Sequence, residues 1–133
     1  MEEDNYGLLD WIDFNKLDWK GLSRNPLAIE LLEAHPNKID WIRLSQNPSA
    51  IKLLEANPNK IDWTLLSGNP SAIHLLEANP DNIVWDWLLE NPNAIHLIRK
   101  ALEETPENID WCRLSCNPAI FKSYHETNEY VLK

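Results

Sequence analysis

Residues 25–46 read NPLAIELLEAHPNKIDWIRLSQ, and the chain repeats nearly the same phrase over 47–68, 69–90 and 91–116. Asn-Pro recurs at Asn25-Pro26, Asn47-Pro48, Asn69-Pro70, Asn91-Pro92 and Asn117-Pro118, in three steps of 22 residues and one of 26. Trp19, Trp41, Trp63, Trp85 and Trp111 keep the same beat. A fixed period of this size means stacked small elements rather than one globular fold. Such stacks usually present an extended binding surface.

Inside the phrase, Asn25 is a strong N-cap type and Pro26 suits the first helical position. Ala28, Leu31 and Leu32 follow at i, i+3, i+4 with Ile29 beside them, one broad apolar face. Pro36 pushes its predecessor out of the α region, so the first helix is predicted over 26–35. Asp40 then caps a second helix of little more than one turn, carrying Trp41 and Leu44 and closing at Ser45, 3₁₀ in part. A strand reading fails, because there is no period-2 alternation and proline recurs at element starts.

The expected fold is all-α: an α-solenoid of about five 22-residue helical hairpins whose indoles and leucines are hidden between layers. The whole of 1–133 is read as one repeat domain, with an N-terminal cap over 1–24, repeats at 25–46, 47–68, 69–90 and 91–116, and a C-terminal cap and polar tail over 117–133. Between Pro92 and Pro106 four residues are added, about one helical turn. The first helix of that repeat should lengthen without rotating its stripe, Ala101 and Leu102 echoing Leu97 and Ile98.

Composition sets further bounds. A net charge of −9, with twelve scattered basic residues, is a poor match to a phosphate backbone and argues against nucleic acid as partner. The acidity suits solubility or attraction to a basic partner. Cys112 and Cys116 do not form a spread disulfide framework. Met1 to Asn5 carry no apolar signal segment, and no apolar run approaches membrane-spanning length. An intracellular location away from membranes is therefore expected.

The combined word Asn-Pro-x-Ala-Ile-x-Leu-Leu-Glu-x-x-Pro-x-x-Ile-Asp-Trp-x-x-Leu-Ser resembles tandem repeats in proteins of large double-stranded DNA viruses. The resemblance covers roughly residues 16 to 122, and Asn117 to Phe121 resemble a typical last repeat of those arrays. It implies a viral or virus-derived origin, hence the cytoplasm of an infected host cell, and brings no assigned activity.

Residues that recur in every repeat read as caps and core, since an active site needs to occur once. Glu33, Glu55 and Glu77 sit near helix C-termini, where a carboxylate opposes the dipole and calls for a cation, from Lys38 and Lys60 nearby or from a neighbouring repeat. His74 and His96 share a column that holds Glu30 and Lys52 earlier, so it reads as solvent-facing rather than metal-binding. Cys112 and Cys116, even with His125 following, match no metal signature and read as ordinary thiols. No phosphate loop, Gly-x-Ser-x-Gly or His-Glu-x-x-His is present, and a thin stack is expected to offer no deep pocket. The chain is read as a non-enzyme without metal or cofactor.

The pattern breaks in one place. Val84 replaces the recurrent Asp, Leu89 replaces the recurrent Ser, and an additional Trp87 fills the column of Gly21, Arg43, Leu65 and Arg113. Two polar columns turning apolar together suggests that Asp and Ser share a hydrogen bond, and makes Val84, Trp87 and Leu89 a candidate apolar contact patch unless the lengthened helix covers it. Arg43, Leu65, Lys52, His74 and His96, in the variable columns, complete the candidate partner-binding set. The expected function is a scaffold for protein–protein interaction, including self-association as a homodimer. An acidic nucleic-acid mimic or nucleic-acid-associated repeat protein, and a spacer without ligand, are the alternatives.

Overall fold

The computed structural model describes residues 6–126, and among them every regular element is helical. In chain order the α-helices are α1 (Trp19–Arg24), α2 (Ile29–Ala34), α3 (Trp41–Leu44), α4 (Ile51–Glu55), α5 (Trp63–Ser67), α6 (Ile73–Ala78), α7 (Trp85–Leu88), α8 (Ile95–Glu104) and α9 (Trp111–Leu114). Residues 122–126 are helical as well. Among the described residues no helix is long and apolar enough to cross a membrane. The polar tail expected beyond residue 126 lies outside the described residues. The chain divides into two compact units, Met1–Ile61 and Asp62–Lys133, and the same local construction recurs in each.

That construction differs from a plain hairpin. The Asn does not cap the first helix. Asn25 Oδ1 accepts from the Leu27 N–H at 3.0 Å and Asn25 O accepts from the Ala28 N–H at 3.0 Å, which closes an Asn-Pro turn. The helix begins only at Ile29, behind Ala28, which offers no side-chain cap. The predicted span of 26–35 is thus corrected to 29–34. The physical reason is that Asx turns and N-caps use the same residue, and proline fits the second position of a turn as well as the first of a helix.

Helix termination at Pro36 is as predicted, but the proline also opens a 3₁₀ turn, Pro36–Lys38, which recurs as Pro58–Lys60, Pro80–Asn82 and Pro106–Asn108. Each repeat therefore holds three short helical pieces. The residue before that proline closes the preceding helix with a side-chain donor to the i−4 carbonyl. His35 Nδ1 reaches Leu31 O at 3.0 Å, Asn57 Nδ2 reaches Leu53 O at 2.9 Å, Asn79 Nδ2 reaches Leu75 O at 2.8 Å and Thr105 Oγ1 reaches Ala101 O at 3.3 Å.

The second helix follows expectation. Asp40 and Asp62 accept from the N–H groups of Arg43 and Leu65 at 3.0 Å each, as N-caps do. The helices behind them are only 4 and 5 residues long. The insertion extends α8 to 10 residues, against 6 in α6, a difference of one turn.

The core is a leucine and alanine ladder: Leu32, Leu44 and Ala50 in the first unit, and Leu66, Ala72, Leu76, Leu88 and Ala94 in the second, are fully or almost fully buried. The indoles are not hidden as expected. Trp19, Trp41, Trp63 and Trp85 are only half-buried and Trp111 is 60% exposed. Trp41 is covered by Lys60, whose Nζ sits 5.8 Å from the ring centroid. Trp19 meets His35 at 5.2 Å between centroids, and Phe14 and Tyr6 each lie 5.8 Å from the same imidazole, an aromatic cluster that closes the N-terminal end of its unit. Ala101 joins the core of α8, but Leu102 is exposed rather than on the same buried face.

Successive repeats are joined by the Asn amide. Asn47 Nδ2 donates to Ser23 O and Asn25 O at 3.0 Å each. Asn91 Nδ2 donates to Ser67 O and Asn69 O, and Asn117 Nδ2 to Leu89 O and Asn91 O, again at 3.0 Å. The recurrent Ser supplies a second link. Ser23 Oγ donates to Trp19 O and accepts from the backbone N–H of Asp40 at 2.9 Å; Ser67 Oγ does the same for Val84. The Asp and Ser columns are thus coupled through the Asp backbone, not its carboxylate.

Removing the Asn91 amide strands the buried Ser67 carbonyl, worth about 1–3 kcal/mol, takes one of two bonds from Asn69 O, which keeps the Ala72 N–H, and opens the Asn91 turn as well. Asn91→Ala should destabilise the chain by about 3 kcal/mol, whereas Asn25→Ala, at an exposed residue with only its turn to lose, should cost about 1 kcal/mol or less. Urea midpoints of the two variants check this, and equal losses would contradict the assigned role of the amide.

Candidate interaction surface

The recurrent polar residues are occupied inside the framework, so the side chains left facing outward come from the variable columns. Leu27, Ser49, Ser71 and Asn93 are exposed, as are Glu30, Lys52, His74 and His96, and Lys20, Ile42, Thr64, Asp86 and Cys112. In the column of Gly21, Arg43, Leu65, Trp87 and Arg113, Arg43 and Leu65 are half-buried and Trp87 is 39% exposed. Arg43 is held locally: its guanidinium lies 3.0 Å from the Asp40 carboxylate. The Arg43 backbone N–H, and then its guanidinium charge, hold that carboxyl below its usual range despite partial burial.

The three residues of the apolar break do not form one patch. Leu89 is fully buried and cannot touch a partner. It fills the space of the usual Ser and offers no hydroxyl to the next repeat. Val84 is half-buried and starts α7 without a side-chain cap, its own N–H still bonded to Ser67 Oγ at 2.9 Å. Only Trp87 presents surface. Its ring lies over Gly68, where an added Cβ would stand 3.2 Å from the indole Cε3. The same column holds Arg24, Gln46, Glu90 and Cys116, so the one residue without a side chain faces the one additional indole. That pairing was visible in the sequence and went unread.

The additional turn of α8 builds one wall of a groove of about 510 Å³, whose apolar lining is Pro80, Ile83 and Trp85 on one side and Leu97 and Ala101 on the other; Trp87 is not part of that lining. Glu77, His96, Lys100 and Glu104 bring charge to it. The groove is open to solvent, and the signal for it was the four-residue insertion itself. Thr105 is the one hydroxyl lining the groove, and it donates to Ala101 O at 3.3 Å while accepting from Asn108 Nδ2 at 3.2 Å.

Across the groove, His96 Nε2 and Glu77 Oε1 lie 2.7 Å apart. The neighbouring repeat thus supplies the partner that Glu77 needs at its helix C-terminus. The hydrogen bond from His96 is the larger cause that lowers the Glu77 pKa, and the imidazole charge adds to it. His74 is exposed, and among the described residues no three His, Cys, Asp or Glu side chains converge as a metal site. Cys112 and Cys116 are free, exposed thiols, and His125 Nε2 is engaged with Ala119 O at 2.8 Å.

Two outcomes follow from these contacts. A carboxyl whose pKa is lowered by folding contributes stability above its unfolded value and loses it as pH falls through the folded one. An NMR titration should therefore place Glu77 below the ordinary glutamate value, and His96→Ala should raise it; an unmoved titration would dissolve the pair. Gly68→Ala should be less favourable beside Trp87 than in a Trp87→Ala background, with a coupling of about 0.5–2 kcal/mol in a thermal double-mutant cycle. Simple additivity would mean that the two do not press on each other. No protein-family model, no curated protein and no solved structure matches the chain.

Proposed function

We propose that the chain is a non-enzymatic helical-repeat scaffold, an α-solenoid, that binds a protein through its substituted surface positions. The observation that carries this reading is the division of labour within each repeat. Recurrent Asn, Ser and Asp residues are tied into internal hydrogen bonds, while the columns that change identity face solvent. Surfaces of solenoids are used in this way. Within it, the exposed indole of Trp87 and, separately, the groove lined by Trp85 are the natural anchors, since tryptophan is enriched at interface hot spots. Arg43 and Lys52 in the first unit, and Leu65, His74 and His96 in the second, are further candidate contacts, whereas Leu89 is fully buried and Val84 half-buried.

Affinity capture from the native cell, followed by titration with the purified partner, tests this. Trp87→Ala should weaken association at least about tenfold, the scale of a hot-spot residue. It should also lower stability by about 1–2 kcal/mol, because the covered part of the ring is lost from Gly68. A partner that binds Trp87→Ala and His96→Ala as tightly as the parent protein would place the contact elsewhere.

A further inference from the structure

The two ends of the repeat array carry matching halves of the link that joins repeats inside the chain. That link has a fixed composition. The trailing side offers three acceptors: a Ser Oγ, the carbonyl of the same Ser, and the carbonyl of the Asn two residues later. The leading side offers two donors seven residues apart, a backbone N–H at the Asp position and the Nδ2 of the next Asn. Asp40 and Asn47 fill Ser23 and Asn25 in this way, and α1 packs on α3 as α5 packs on α7.

At the C-terminal end the trailing side has no successor among the described residues. Ser115 Oγ donates to Trp111 O at 2.6 Å, as Ser23 does to Trp19 O, so its lone pairs point the same way. Yet Ser115 is exposed where Ser23 and Ser67 are fully buried, and Trp111 is the most exposed of the recurrent indoles. At the N-terminal end the leading side has no preceding repeat among the described residues. Asp18 caps Lys20 through its carboxylate and Asn25 caps Leu27 through Oδ1, and among the described residues the Asp18 N–H and Asn25 Nδ2 meet no acceptor. Asn25 is exposed where Asn47 and Asn91 are fully buried. The core leucines show the same defect at both ends: Leu22 and Leu114 are 9% exposed against 0% for Leu44, Leu66 and Leu88.

We infer that a second copy of this chain docks head to tail, its α1 edge seated on the α9 end of the first. The Asp18 N–H meets Ser115 Oγ, and Asn25 Nδ2 meets Ser115 O and Asn117 O. The contact continues the established repeat-to-repeat interface across a chain boundary. It is heterologous, since two different surfaces meet, so each bound copy still offers one used and one unused end. It also differs from the lateral surface assigned above to a partner, and neither reading depends on the other.

The test uses the full chain in sedimentation and light scattering over a concentration series. The parent protein should rise above its monomer mass of 15.5 kDa as concentration increases. Asn25→Asp keeps the turn-capping oxygen but lacks the amide donors, and Ser115→Glu fills the acceptor site with a carboxylate. Each variant alone should remain monomeric. Their equimolar mixture should form a dimer and nothing larger, because one variant keeps a working tail and the other a working head. A parent protein that stays monomeric up to its solubility limit overturns the inference, as does association that survives in either variant alone. Circular dichroism melts establish that both variants fold, and should one fail to fold, the parent concentration series decides by itself.

Discussion

Within each of the two units, one side-chain nitrogen ties a repeat to the one before it. The Asn side-chain amide has two N–H bonds on Nδ2, and each goes to a different backbone carbonyl at 3.0 Å. Its Oδ1 meanwhile accepts from the N–H two residues on, at 3.1 Å in the case of Asn91. Asp lacks the donors, Ser has one, and Gln places its amide one carbon farther out. Only Asn both closes its own turn and crosses to the neighbouring layer. This explains the choice of Asn at Asn47, Asn91 and Asn117, while at Asn25 the turn alone uses it.

The rest of the architecture depends on that crossing. The second helices of the repeats are only 4 to 6 residues long, far below the length at which an isolated helix holds in water. Their stability comes from packing and from the amide and Ser links, so a layer and its neighbour fold together. Because the carbonyls that accept these bonds lie where α-helices end, the link also satisfies groups that helix geometry leaves without partners. The outward columns are released from the recurrent link itself, which is what permits them to vary, although Trp87, His96 and Asn93 make contacts of their own.

Much of this was legible in the sequence, and what was not has identifiable causes. The repeat length, the all-helical character, the Asp40 cap and the one-turn extension at α8 followed from spacing and capping chemistry. Asn25 was misread because turn caps and helix caps favour the same side chain. Burial of the indoles was overestimated because a period identifies which residues are equivalent, but not how deep they lie. The pairing of Gly68 with Trp87 was a coincidence of smallest and largest residue in facing columns, readable once the columns are known to touch. The groove and the His96–Glu77 pair depend on side-chain distances that no one-dimensional pattern contains.

The added turn in α8 has one more consequence. The first helix of a repeat is flanked by an Asn-Pro turn at one end and a Pro-led 3₁₀ turn at the other, and both must keep their azimuth for the next layer to align. Length can therefore change there only in whole revolutions of the helix, four residues being the smallest such quantum. An array of this kind diversifies in discrete jumps: one insertion leaves the lattice of links intact and opens a cleft at a single storey.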